Sequence, residues 1–228
     1  SNRQAASPRR NPLTLLAVAV ALLALLELFA TGLLTNLEYA FNDRLLAYHA
    51  EQRLPDGQTL IVDIDERSLE AMAGVHGRYP WARSVHAEVV EWIAAQQPRA
   101  ILFDILFTDS DLLRPDDDAY LYEVAATQPN LFFPYIPLET DDTNSGMPLA
   151  LVGEALGFSR TSEATEDARA ALLLPYTAPV VEGRLGSIKF FEESDGIGRH
   201  YYLYHEIEGW QLPSLPAKAA SALGYQLP

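Results

Sequence analysis

The stretch Val62-Asp63-Ile64-Asp65-Glu66-Arg67-Ser68-Leu69 decides how the rest of this 228-residue chain is read. It follows the turn Leu54-Pro55-Asp56-Gly57, and residues 59–64 form a short apolar, β-branched run of the kind that fills a buried parallel strand. Asp65 then stands where a short carboxylate can accept the first N–H groups of a helix over residues 66–73, ended by Gly74. A strand passing into a helix, with carboxylates at the strand's carboxyl end, is the arrangement in which α/β sheets commonly bind ligands.

Downstream, Gly77-Arg78-Tyr79-Pro80 breaks the chain, and Ser84 can cap a second helix that turns Val85, Val89, Trp92 and Ile93 inward and ends before Pro98. Residues 100–103 repeat the strand signature, with a crossover long enough for right-handed parallel pairing. An acidic loop over 109–118 leads into a helix at 119–126, and residues 131–133 give a third strand before Pro134. Residues 137–184 are less informative; only 149–156 and 168–174 stand out, as short helices or cover. Residues 186–191 and 200–207, joined by Glu192-Glu193-Ser194-Asp195-Gly196-Ile197-Gly198, predict an antiparallel hairpin at the sheet edge. A closing helix spans 214–223, with Gly224 as its stop. The expected fold is α/β, a three-layer domain with a mostly parallel sheet and an antiparallel edge hairpin.

Upstream, residues 13–34 contain a single charge, Glu27, and match the ~20 apolar residues that span hydrocarbon. Arg3, Arg9 and Arg10 precede this run and Glu38 and Asp43 follow it, a bias that leaves the N-terminus cytoplasmic. A cleaved signal peptide shares the pattern of basic residues before an apolar run. This run, however, is long for one, holds Glu27 and ends without a small-x-small site. The expected organisation is therefore a cytoplasmic tail over 1–12, a transmembrane helix over 13–34, and an extracytoplasmic domain over 35–228 at the inner (plasma) membrane. A charged, unpaired Glu27 in hydrocarbon would cost about 3 kcal/mol, so it is the residue expected to couple the helix to another span. Leu37, Phe41, Leu45 and Tyr48 lie at helical spacing and continue the helix toward Arg53.

The chain carries 16 Lys and Arg against 31 Asp and Glu, a net charge of -15, so no attractive field toward nucleic acid exists. It has no cysteine, which excludes disulfides, thiolate nucleophiles and cysteine-bound zinc.

Asp63 and Asp65 point to one face of the expected strand, and Asp104, in Phe103-Asp104-Ile105-Leu106-Phe107, ends the adjacent one. Asp65 and Asp104 are thus candidate neighbours. They could share a proton, hold a divalent cation such as Ca²⁺ or Mg²⁺, or pair with Arg67 or Arg83. Asp63 and Asp65 also look like the paired nucleophile and acid/base of a haloacid-dehalogenase-type phosphohydrolase. That chemistry needs a Lys and a later acidic pair, and the only lysines, Lys189 and Lys218, lack a recognisable context. Tyr79-Pro80-Trp81-Ala82-Arg83-Ser84-Val85-His86-Ala87 is an aromatic and cationic corner able to hold an anion or an apolar ligand. The competing reading makes Trp81 a packing plug and leaves His86 without a metal role. The acidic runs Asp109-Ser110-Asp111 and Asp116-Asp117-Asp118 do not match a Ca²⁺ loop and read as solvated.

Together these pieces resemble the CHASE2 family of extracellular sensory domains. The resemblance runs from Phe41-Asn42-Asp43-Arg44 through residues 62–69, 79–87 and 100–107 to Asp195-Gly196-Ile197-Gly198-Arg199 and Leu212-Pro213-Ser214-Leu215, with no match over 137–184. It implies an input domain of a transmembrane receptor whose output is a nucleotide cyclase, a kinase or a diguanylate cyclase. The sequence ends at Pro228, before the closing strand and membrane helices such receptors usually have. The expected role is a sensor with no catalysis of its own, requiring no cofactor. Its candidate ligand face is Asp63, Asp65, Asp104, Trp81, Arg83 and His86, its ligand an undefined small molecule or ion, and its partner a second copy along the membrane and juxtamembrane helices. A membrane-tethered metal-dependent phosphohydrolase and a ligand-free assembly module are the alternatives.

Overall fold

Asn11 starts the first helix. Its side chain accepts the Leu13 N–H at 3.3 Å, and Pro12 takes the first helical position, where a missing N–H is no loss. The computed structural model describes residues 11–26, 33–54, 57–139, 146–193 and 195–227, and the chain divides into two units, Ser1–Asp63 and Ile64–Pro228.

The first unit contains α1 (Pro12–Leu26) and α2 (Leu33–Glu51). This corrects the expected transmembrane helix: among the described residues, no helix is long and apolar enough to cross a membrane. The 15 residues of α1 rise about 22 Å, short of the ~30 Å of hydrocarbon. The 19-residue α2 has the length but carries Asn36, Glu38, Asn42, Asp43 and Arg44 among its apolar positions. Glu27 lies outside the described residues. The helix expected after the apolar run is present as α2, with Leu37, Phe41, Leu45 and Tyr48 exposed.

The second unit opens with α3 (Glu66–His76), α4 (Arg83–Ala94), β1 (Ile101–Leu102), α5 (Pro115–Thr127) and β2 (Leu131–Pro137). Its middle holds β3 (Met147–Pro148), α6 (Leu149–Leu156), β4 (Ser159–Arg160), β5 (Arg169–Ala170) and β6 (Leu172–Leu173). β7 (Leu185–Ser187), β8 (Tyr204–Ile207), β9 (Trp210–Pro213) and α7 (Leu215–Ala222) complete it.

β2 organises this unit. It pairs in parallel with β1 (Ile101 opposite Leu131) and with β7 (Phe133 opposite Leu185), and its far end meets β6 in antiparallel register (Ile136 opposite Leu173). Because side chains alternate along a strand, Leu131, Phe133 and Tyr135 enter one core, with Ala87 and Val90 of α4 and Leu121, Val124 and Ala125 of α5. Phe132 faces the other way, onto Leu215 and Ala219 of α7. Leu121, Leu131 and Phe133 are at most 1% exposed, each contributing about 2–3 kcal/mol by burial.

The domain is mixed α/β, and the expected sheet needs three corrections. Residues 59–64 are not a strand; they are irregular, with Leu60, Ile61 and Val62 exposed. β-propensity expresses itself against neighbouring strands, and the described pairing of β1 is with β2. The sheet is not mostly parallel: among the described strands, four pairings are antiparallel and two parallel. Nor does residue 186–191 pair with 200–207. β7 joins the central sheet, and the hairpin is β8–β9, part of a separate antiparallel sheet ordered β4-β9-β8. Its turn is Glu208-Gly209, both at positive φ (47° and 80°), the geometry that matches the twist of a two-residue hairpin. α5 also begins earlier than expected, at Pro115, drawing the Asp116-Asp117-Asp118 run into its first turn.

Candidate functional site

α4 begins at Arg83, with no side-chain cap from Ala82, so the helix opens on a long cation rather than on the expected Ser84 cap. The Arg83 Nη1 group pairs with Oδ1 of Asp118, and Nη2 donates to the Asp109 carbonyl. The guanidinium carbon also lies 4.9 Å from the Phe107 ring centre and 4.7 Å from that of Tyr176, so one cation is held by a carboxylate and two aromatic faces. Both partners are sequestered, with side chains 13% and 10% exposed.

Asp118 extends the network. Its Oδ2 accepts the Asp111 N–H at 2.6 Å, and its carbonyl accepts the Tyr176 hydroxyl at 3.0 Å. The Tyr176 N–H in turn donates to the Phe107 carbonyl at 2.8 Å. Asp111 receives the Leu113 N–H at 3.0 Å and Arg114 Nε at 2.9 Å, which hold its carboxyl below the usual range. Burial, and then the charge of Asp118, push the Tyr176 phenol up. The loop after β1 is therefore tied to the starts of α4 and α5 through one ion pair. Beside it, Ser110, Asp118, Ala119, Tyr122 and Tyr176 line an open cleft of ≈ 250 Å³.

Trp81 and His86 stand next to this pair in an aromatic box. Their ring centres are 6.2 Å apart; His86 also contacts Phe103 at 6.1 Å and Phe107 at 5.2 Å, and Tyr79 lies edge-on to Trp81 at 5.6 Å. His86 is 4% exposed, and burial, followed by the positive charge of Arg83, lowers its pKa. The structure thus brings Trp81, Arg83 and His86 together, as the corner motif suggested.

Asp65 caps α3: its Oδ1 accepts the Ser68 N–H at 2.8 Å and the Ser68 hydroxyl at 2.7 Å, and these bonds depress its pKa. Asp63 belongs to the first unit and is exposed. Asp104 is exposed after β1, with the surrounding protein raising its pKa by desolvation. Without a strand over 59–64, the reason for expecting Asp65 beside Asp104 disappears. No group of three or more His, Asp or Glu able to hold a metal occurs among the described residues. A phosphohydrolase nucleophile pair also needs two carboxylates presented together at a strand end, and this segment does not supply one.

Sequence reasoning missed Asp118, Phe107 and Tyr176. A signal for Asp118 was available: it stands three residues before Leu121 and six before Val124, on the face α5 buries.

The family model described as the CHASE2 domain matches residues 17–227. No curated protein and no solved structure matches the chain.

Proposed function

The chain belongs to the CHASE2 family of extracellular sensory domains, and from that premise we propose that it is the input domain of a membrane signalling receptor that regulates a cytoplasmic output domain. The output classes that fit such an input are nucleotide cyclases, kinases and diguanylate cyclases. Family membership carries the sensory role; the observation that supports a site for it is the Arg83–Asp118 pair, buried between Phe107 and Tyr176 beside an open cleft. A small ligand or ion that binds one arrangement of the pair better than another shifts the population between them by its difference in affinity. Trp81 and His86 are the remaining members of the site, and a second copy meeting the exposed apolar positions of α2 is the partner that would receive the shift.

The test compares the output rate of the full-length receptor in membranes with that of the same receptor in which residues 64–227 are replaced by a flexible linker. An input domain predicts a change of about five-fold or more, the scale of allosteric coupling. Identical output from the two proteins overturns the proposal.

A further inference from the structure

Phe107 touches two groups at once. Its ring centre lies 5.2 Å from that of His86 and 4.9 Å from the Arg83 guanidinium carbon, so one side chain closes the box around the histidine and covers the arginine of the ion pair. His86 is 4% exposed, with the rings of Trp81 at 6.2 Å and Phe103 at 6.1 Å as further walls. Its Nε2 is closed to solvent and has no hydrogen-bond partner among the described residues.

A neutral imidazole tolerates this setting. An imidazolium does not: both of its nitrogens donate, and a donor that is charged, buried and unpaired is the costliest kind. The charged groups around the box supply no counter-ion. On α4 itself, Glu88 is exposed, and Arg83 adds a like charge one turn before His86. Asp118 on α5 is already paired with Arg83. In the loop after β1, Asp104 is exposed, and Asp109 is exposed and accepts the Thr108 hydroxyl at 3.0 Å. The segment that carries Trp81 brings only another exposed cation, Arg78.

We propose that His86 is a proton switch: protonation of its ring opens the aromatic box and draws Phe107 off the Arg83 guanidinium. The opening is a property of this chain; that the proton is thereby the stimulus of the receptor rests on the sensory reading above. The direction follows from the two states. In the shut box the ring refuses a proton, from burial first and the Arg83 charge second, whereas in the open state it is solvated and titrates near the ordinary ~6.5. Above that value the balance between the states does not change with pH. Below it the open state alone takes up the proton, and its population relative to the shut one rises by up to about ten-fold per pH unit.

The experiment is an NMR titration of the ring resonances of the full chain from about pH 7 to 5. His86 is expected to pass from neutral to charged below ~6.5, with the Trp81 and Phe107 rings moving in the same step while the core rings of Tyr135 and Trp210 stay in place. In His86→Phe, which keeps an aromatic ring in the box, the Trp81 and Phe107 step should vanish; if that variant does not fold, the wild-type titration decides alone. Protonation of His86 at the ordinary value with Trp81 and Phe107 unmoved overturns the switch. So does a His86 that charges only as Tyr135 and Trp210 move with it in global unfolding, or a step at Trp81 and Phe107 that survives His86→Phe. Identical output in the linker comparison would overturn the sensory reading and leave this titration as it stands.

Discussion

Arg83 holds a carboxylate, a backbone carbonyl and two aromatic faces at once, and its partner Asp118 is slightly more buried still. Removing one member of a buried pair leaves the other charge unpaired, which costs about 3 kcal/mol or more. Asp118→Asn is therefore expected to lower unfolding stability by about that much, measured by urea denaturation, whereas Asp116→Asn, on the exposed side of the same turn, should change it by less than ~0.5 kcal/mol. A second residue-scale expectation concerns pH. The pKa values of His86 and His205 are both lowered, chiefly by burial, so above ~6.5 the folded and unfolded chains are alike neutral there. Below that value the unfolded chain takes up protons that the folded chain refuses, and stability falls as the pH drops toward 5. His86→Phe should flatten the decline by up to ~1.4 kcal/mol per pH unit, measured by urea denaturation between pH 7 and 5; an unchanged slope would show that His86 titrates normally. Arg83 and His86 were legible in the local corner motif. Asp118 was not, because its partner is 35 residues away and an acidic run looks solvated when only its neighbours are considered.

At the scale of elements, agreement was best where the signal is local. Asp65 caps α3, Ser214 caps α7 through the Ala217 N–H, and α6 occupies the expected 149–156 segment, closed by the left-handed Gly157. Strand pairing was harder, since the apolar run at 59–64 has strand composition but no described pairing, and the Asp195-Gly196 turn resembled a hairpin loop more than Glu208-Gly209 did. The Arg184 guanidinium illustrates what composition hides: it donates to the carbonyls of Gln128, Leu131, Ala125 and Val180 and so satisfies the end of α5 from a distant loop. β7 lies so close to the start of α7 that a Cβ on Gly186 would strike the backbone of Leu215. Gly186→Ala should thus cost ~3 kcal/mol or more by thermal or urea unfolding, because backbone cannot step aside as a side chain can. Gly183→Ala, where a Cβ meets open space but the φ of 68° is left-handed, should cost about 1 kcal/mol.

For the whole molecule, the charge of -15, the mixed α/β character and the family were readable from the sequence, the last because six short motifs keep their order. The transmembrane helix was not a sound reading. Hydropathy counted residues 13–34 as one run, whereas among the described residues no helix is long and apolar enough to cross a membrane: α1 has 15 residues, and α2 is interrupted by polar side chains. The central claim is that this domain passes information to an output through the Arg83–Asp118 pair. Its most direct test is the output rate of the full-length receptor carrying Asp118→Asn, at matched membrane abundance and at a temperature where the variant is shown to be folded. A rate at least about five-fold away from wild type is the predicted result. A wild-type rate and an unaltered response to conditions, with the pair broken and the domain folded, would contradict it.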